Sequence, residues 1–497
     1  MFCSLVSINS SFANYKRAKN VNDIDYIIKN LNRQSMEQSN SINNVQNNNI
    51  GLNKFTEEEN KFNKNIKNGE ILNVNELITK EEELPLKLHN LIDLALERNL
   101  ETKQAYINVK LAEYNLTEAK ANYYPTIKIS GDYSITDGDS YKETYADGKK
   151  DLSGSILASY NLFAFGKYKF NVNSIEHALN SMKYRENNTI QEVIFSVVEN
   201  YYKLLSLKAE REVAIENENL GYETLKAANL KYKLGIVPLV DKLKANTAYS
   251  ENKLNTIKVE NEIKKQKANL NIILNLDPDY VLYIENPEIK IKSINKDINY
   301  FMEEARLNRP DLKILYEQKK QKEQELNGIK TQFLPEFTIN GGISTNKDIS
   351  KGANKKVYTD SSVSLNVSIP IFNGFSDTAS IKAKTKEIEF IDRQIEQLEK
   401  QISNEVWSCY QDFNTNQVAF VASKDLLKSA EENAKINFGM YKNGKASILE
   451  VLDSQSQLKD AKMEFINAKY NWIVYKIKLL KTIGKMNLNN IINIGDL

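Results

Sequence analysis

The sequence predicts a mostly α-helical, internally duplicated chain with a small transmembrane β part. Three observations carry this. Apolar residues recur with a 3.6-residue period over very long stretches, one order of helix and strand signals is written twice, and four short segments alternate apolar and polar residues over bilayer-crossing lengths. Composition agrees. Of 497 residues, 67 are Lys or Arg and 65 Asp or Glu, a net charge of +2. A nucleic-acid binder usually shows a marked basic excess, so no nucleic-acid partner is expected. With 8 prolines and 18 glycines the chain is a poor candidate for a turn-rich all-β fold. No run of 18 or more apolar residues occurs. That excludes a transmembrane helix, whereas transmembrane strands leave a much weaker trace.

Residues 1–85 stand apart. Residues 20–75 are rich in Asn, with the run Asn47-Asn48-Asn49, and poor in aromatics. Such a composition buries little surface and reads as a disordered extension. Phe2, Leu5, Val6 and Ile8 form a short apolar stretch before Ser11-Phe12-Ala13, a small-x-small pattern without a basic segment ahead of it. Two readings stay open: the remnant of a secretory signal whose true start is missing, or a chance apolar patch.

The rest is one unit written twice, as repeats at 86–285 and 286–484 with a tail at 485–497. At an offset of 210, Tyr124-Pro125-Thr126-Ile127 aligns with Leu334-Pro335-Glu336-Phe337, and Gly131 with Gly341. At an offset of 209, Tyr232, Gly235, Leu243 and Leu270 align with Tyr441, Gly444, Leu452 and Leu479. The period is too long for a solenoid and implies duplication of a half-domain.

Each repeat opens with a helix of about 38 residues (86–124; 299–334), ended before Pro125 and Pro335. After two strands comes a very long helix (167–234; 376–443). Ile190, Val193, Ile194, Val197, Val198, Tyr201, Leu204 and Leu205 form its apolar stripe in the first repeat. Some 67 residues at 1.5 Å each reach on the order of 100 Å, so these helices need lateral partners. Gly235 and Gly444 stand where the pattern stops, as left-handed caps. The final helices span 238–275 and 447–484. Pro238 suits the first turn of one, and Ser447-Ile448-Leu449-Glu450 reads as a capping box for the other.

The strands carry the membrane signal. Ile127, Ile129, Gly131, Tyr133 and Ile135 alternate with Thr126, Lys128, Ser130, Asp132 and Ser134. Leu152, Gly154, Ile156, Ala158, Tyr160 and Leu162 alternate with polar residues, with Leu157 out of pattern. Phe337, Ile339, Gly341 and Ile343, then Val363, Leu365, Val367 and Ile369, repeat this in the second half. The polar faces carry mostly Ser, Thr and Asn, as a wet lumen would, and the polar loops at 136–151 and 345–360 suit an outer surface. The bland alternative is a soluble sheet with one face on a core. Four strands cannot close a barrel in lipid, so several chains must share one: two copies give 8 strands and three give 12. The strand count does not choose between them.

Enzymatic signals are missing. Cys3 and Cys409 make at most one disulfide, and His89 and His177 each stand alone in helical patterns without metal-ligand spacing. No Walker loop, dinucleotide fingerprint or G-x-S-x-G occurs. No catalytic activity, metal or cofactor is expected.

In this order, twice, the elements resemble the TolC-like outer membrane efflux channel family. Ala95 to Glu101 and Ala305 to Leu312 resemble its "A-L-x-x-N-P-x-L" signature. Tyr160-Asn161-Leu162-Phe163 and Ile369-Pro370-Ile371-Phe372-Asn373-Gly374 resemble "P-L-F-x-G-G". Tyr441-Lys442-Asn443-Gly444 with Ser447, Leu449, Val451, Leu452 and Asp453 resembles "Y-x-x-G-x-x-S-x-x-D-V-L-D". The resemblance covers about residues 86–484. It implies a homotrimer, with a 12-stranded β-barrel in the outer membrane continued by a 12-helix α-barrel across the periplasm. Its implied role is export of small molecules or proteins in a tripartite efflux or type I secretion system. A periplasmic adaptor and a proton-driven or ATP-driven inner-membrane pump would be the partners.

The resemblance also places a pore entrance at the hairpin tips. Glu450 and Asp453 match acidic positions just inside the second tip. They lie one helical turn apart, so three copies would ring the opening with carboxylates that favour cations. Without a pore, Glu450 is the capping box alone and Asp453 a solvated position. Asp241 and Tyr441 match a pair whose hydrogen bond helps hold the entrance shut; otherwise Tyr441 is ordinary packing. The family's basic residue before the acidic pair falls among Lys445 and Ala446, so a basic gate link has no definite counterpart. Adaptor contacts are expected beside Lys233, Gly235, Lys442 and Gly444. The competing class is a non-pore coiled-coil scaffold of the cell envelope, which leaves the strand pairs unexplained.

Overall fold

The computed structural model describes residues 86–137, 149–285, 296–350 and 356–486. The Asn-rich extension with Cys3, the middles of both strand-joining loops, the first residues past the 285/286 division and most of the tail lie outside them.

The chain runs α1 (Leu88–Arg98), α2 (Leu100–Ala121), β1 (Thr126–Thr136), β2 (Lys149–Phe163), α3 (Lys167–Lys233), α4 (Leu239–Ile273). The order then recurs as α5 (Ile298–Asn308), α6 (Pro310–Lys330), β3 (Glu336–Asp348), β4 (Val357–Ser368), α7 (Ser376–Lys442), α8 (Ile448–Thr482). Both long helices have 67 residues and both final helices 35. Pro238 precedes α4 as its N-cap instead of entering the first turn.

The first helix of each repeat is two helices, contrary to the sequence expectation. The chain turns extended at Asn99 (ψ 134°) and at Arg309 (ψ 125°). The Asn99 side chain caps α2 by accepting from the Glu101 and Thr102 N–H groups. Pro310 opens α6, where a missing N–H costs nothing. Both breaks also satisfy a neighbour. Asn99 Nδ2 donates to Ile273 O (2.9 Å), and Arg309 Nη1 to Thr482 O (3.4 Å), carbonyls at the ends of α4 and α8. A 35-residue helix spans about half of its 67-residue partner. Each break is therefore the joint where the end of α4 or α8 meets the next short helix alongside α3 or α7.

The main core sits at this level, halfway along the long helices. Leu91, Ile92 and Ala95 of α1 pack with Val193, Val197, Val198, Tyr201, Leu204 and Leu205 of α3, Ile402 and Val406 of α7, and Ile473 and Ile477 of α8. Each such side chain contributes about 1.5–3 kcal/mol of burial. Cys409 lies in this core as a free thiol, its pKa pushed up to about 11 by burial, hence unreactive. His177 Nδ1 lies 2.8 Å from Glu317 Oε2, tying α3 to α6.

The four strands form one antiparallel sheet in the order β1-β2-β3-β4. They run 11 to 15 residues, enough for a tilted strand to cross a bilayer. Facing pairs Ile129↔Ile156↔Ile343 and Ile339↔Leu365 build an apolar face, and among the described residues no core covers it: Ile127 is 72%, Ile129 76% and Val363 80% exposed. The other face is laced by polar side chains. Ser130 Oγ and Ser155 Oγ lie 2.8 Å apart, Ser159 Oγ donates to Asn340 Oδ1 (2.7 Å), and Thr338 Oγ1 to Asn161 Oδ1 (2.9 Å). Leu157, out of pattern on this polar face, lies opposite Gly342, where a Cβ would stand 3.3 Å from Leu157 Cδ1. A register shift between Asn161 and Phe163 ends the alternation and pairs Phe163 with Phe337. The corners into α3 and α7 are left-handed at Phe165-Gly166 and Gly374-Phe375. A bulky residue at positive φ costs on the order of 1–3 kcal/mol.

The α8 cap sits on the joint. Gly484 (φ +71°) closes α8, and a Cβ there would lie 2.8 Å from the backbone of Asn308 and Arg309. Gly484→Ala combines conformational strain with backbone overlap and should destabilise the protein by about 2–3 kcal/mol. Thermal unfolding followed by helical circular dichroism in detergent reads this; an unchanged midpoint would show that the joint does not need the close approach.

Candidate functional site

The α3–α4 and α7–α8 turns lie together at the end away from the sheet. Each closes with the same hydrogen-bond pair. Gly235 N–H donates to Tyr232 O (3.0 Å) and Ile236 N–H to Lys231 O (2.9 Å); Gly444 N–H donates to Tyr441 O (3.0 Å) and Lys445 N–H to Met440 O (2.8 Å). This is the Schellman arrangement, with glycine in the left-handed position. Gly235 and Gly444 have φ +70° and +74°, and nothing stands within 4 Å of a Cβ built on either. Backbone conformation, not crowding, requires glycine there. Lys233 and Lys442 are exposed beside them, Lys442 Nζ lying 4.4 Å from the Phe438 ring centre.

The two tips differ in surface. Leu234, Ile236, Leu239, Val240 and Leu243 leave the first tip apolar and exposed, whereas Asn443, Lys445 and Ser447 make the second polar. The apolar run Leu234-Gly235-Ile236-Val237-Pro238-Leu239-Val240 is the sequence signal for this difference.

On α8 the capping box forms. Ser447 Oγ accepts from Glu450 N–H (3.3 Å), and Glu450 Oε2 accepts from Ser447 N–H (2.6 Å). The Ser447 N–H, then its hydroxyl, holds the Glu450 carboxyl below the usual carboxylate range. Asp453 is exposed one turn on and accepts from Gln457 Nε2 (2.9 Å).

Tyr441 occupies the point where the four tip helices meet. It is 2% exposed and packs with Ala228 of α3, Ala245 of α4, and Ile448 and Val451 of α8. Burial, with the Asp241 charge nearby, pushes its hydroxyl pKa up. The expected Asp241–Tyr441 hydrogen bond is not formed; the buried hydroxyl has no partner. Apolar packing fixes the ring, while Asp241 stays half-buried in the first turn of α4, where the helix N-terminus favours a carboxylate. The ring is instead engaged by Lys231, whose Nζ donates to Tyr441 O and stands 4.2 Å from the ring centre. Sequence reasoning missed Lys231. The available signal was a difference between the repeats, since Met440 takes its place in the second.

Comparison with known proteins places this architecture. The family model described as outer membrane efflux protein matches residues 91–276 and 301–485, once per repeat. Outer membrane protein TolC of Salmonella enteritidis is 21% identical over 403 residues, covering 78% of this chain and 80% of that protein. Nodulation protein T of Rhizobium leguminosarum bv. trifolii is 22% identical over 399 residues, covering 78% and 82%. The crystal structure of the Campylobacter jejuni CmeC outer membrane channel superimposes with a TM-score of 0.72 at 17% identity, covering 82% of this chain and 89% of that one. With both repeats matched over well more than half of its length, the chain belongs to the outer membrane efflux protein family and is a TolC-like protein of the outer membrane.

Proposed function

We propose that three copies pool their strands into one 12-stranded β-barrel, continued by a 12-helix α-barrel across the periplasm. The repeats at 86–285 and 286–484 each supply half of a protomer's share. The observation that carries this reading is that, among the described residues, nothing pairs with the outer edges of β1 and β4 or covers the apolar face of the sheet. A water-soluble scaffold would bury that face, and lipid would leave the edges unpaired at several kcal/mol per group. Three copies are favoured over two because an eight-stranded barrel is just filled by its own side chains, whereas a wider one leaves a conduit. The Ser, Thr and Asn face would line that conduit.

The protein then serves as the outer membrane channel of a tripartite efflux or type I secretion system, passing small molecules or proteins, with no catalytic step of its own. A proton-driven or ATP-driven inner-membrane pump supplies the energy. A periplasmic adaptor docks on the tips beside Lys233, Gly235, Lys442 and Gly444, where Leu234 and Ile236 offer apolar surface. Glu450 and Asp453 from three copies ring the entrance, and Tyr441, with Asp241 nearby but not bonded to it, sits at its closure.

The test is extraction and recording. The protein should require detergent, run as a trimer and form steps of conductance in planar bilayers. Glu450→Gln with Asp453→Asn should lower cation preference. A monomer in the soluble fraction would end the channel reading, and unchanged selectivity would remove both carboxylates from the pore.

A second outcome concerns pH. A carboxyl whose folded pKa is depressed stabilises at pH above its unfolded value and loses that contribution as pH falls through the folded value. Hydrogen-exchange protection in the first turn of α8 should therefore hold at neutral pH and drop below about pH 4. Glu450→Ala should remove this pH dependence; its persistence would assign it to another group.

A further inference from the structure

Among the described residues, three polar links tie the first hairpin to the second within one chain toward the tips. Lys462 Nζ pairs with Glu216, Gln455 Nε2 donates to Thr224 Oγ1 (3.0 Å), and Lys231 Nζ donates to Tyr441 O. Of these, the Lys231 link lies nearest the tip turns. Its geometry is two-sided. The ammonium meets a carbonyl in the last turn of α7, where backbone acceptors are in excess and the helix end is negative. It also stands over the face of the same residue's ring, at 4.2 Å from the centre. Lys231 thus fixes both the backbone and the side chain of the residue around which Ala228, Ala245, Ile448 and Val451 pack.

The repeats are not alike here. At the 209-residue offset Lys231 corresponds to Met440, and Tyr441 to Tyr232. Met440 is 40% and Tyr232 38% exposed. The scaffold is duplicated, but the links differ: Tyr232 has Lys242 Nζ of its own hairpin 5.5 Å from its ring centre, whereas Tyr441 is met by Lys231 of the other hairpin. Asp241, the other charged residue near the ring, makes no hydrogen bond to it.

We propose that Lys231 is a latch that fastens the end of α3 to the end of α7 and so holds the two hairpin tips of a chain together. The assignment deepens the reading of the tips as a channel entrance and rests on it for its consequence, which is control of opening. Releasing Lys231 frees the α7 terminus and uncovers the small apolar cluster beneath Tyr441.

Lys231→Met is the informative variant, because it gives the first repeat the residue that the second carries at the same place. Lys231→Arg keeps the charge and serves as the rescue. Closure is read by two reporters, one on each hairpin: Ala228→Cys and Val451→Cys, both at 0% exposure in the closed tip. Each is made in the full-length protein in detergent and labelled with a water-soluble maleimide. Lys231→Met should speed labelling at both reporters about tenfold, the loss of one charge-assisted bond, and Lys231→Arg should restore slow labelling. Planar-bilayer recording of the same variants without reporters should show higher conductance for Lys231→Met than for the parent. Labelling rates equal in Lys231→Met and the parent at both reporters would overturn the latch. If labelling responds while no variant conducts, the latch stands and the channel reading falls. If all variants conduct alike and label alike, the channel stands and the latch falls.

Discussion

A hydrocarbon layer offers no water to an unpaired peptide group, and every notable feature of this chain answers to that. The sheet has a centre made of paired strands and two edges, β1 and β4, that present rows of open N–H and C=O groups. Soluble proteins shorten, charge or cover such edges. Here the edge strands run 11 and 12 residues and flank an apolar face that no described residue covers. On the proposed trimer reading the protomer is unfinished and copies of the same chain complete it. That reading accounts for the small number of strands per chain, the alternation along each, and long helices that register the copies.

The two solvents also divide the labour of stabilisation. Helix packing around Val197, Tyr201, Leu204 and Ile477 supplies the ordinary hydrophobic core. Among the described residues the sheet has none; its order comes from backbone ladders and from the hydroxyl and amide pairs on its polar face, such as Ser159 with Asn340. The corners between the two regimes hold Phe165 and Phe375 at positive φ, a local cost accepted where a strand must turn directly into a helix.

The long helices were legible in the sequence to within one residue, because an unbroken stripe from Ile190 to Leu205 and the glycines at 235 and 444 are local signals. The capping box at Ser447–Glu450 was legible for the same reason. The breaks at Asn99 and Arg309 were not. Their signals are local but single residues, Asn99 as an N-cap and Pro310 turning the residue before it extended, and the apolar period runs on past both. Leu157 looked like an error of pattern until Gly342 appeared opposite it. At the tips the family pattern singled out Asp241 and Tyr441 as a bonded pair, but packing among four helices decided the ring's place and left the bond unmade. Lys231 carried no motif; its replacement by Met440 in the second repeat was a faint signal, which the contact with Tyr441 makes legible.

The matched helix lengths, 67 with 67 and 35 with 35, bear on how such a chain can change over time. One residue added to a single stave would rotate everything beyond it by about 100° and lift it 1.5 Å. That would turn buried stripes outward and push its joint out of line with the other repeat. Insertions are therefore tolerable only as near-whole numbers of turns made in both repeats together, so in the proposed barrel the tunnel length can change only in concert.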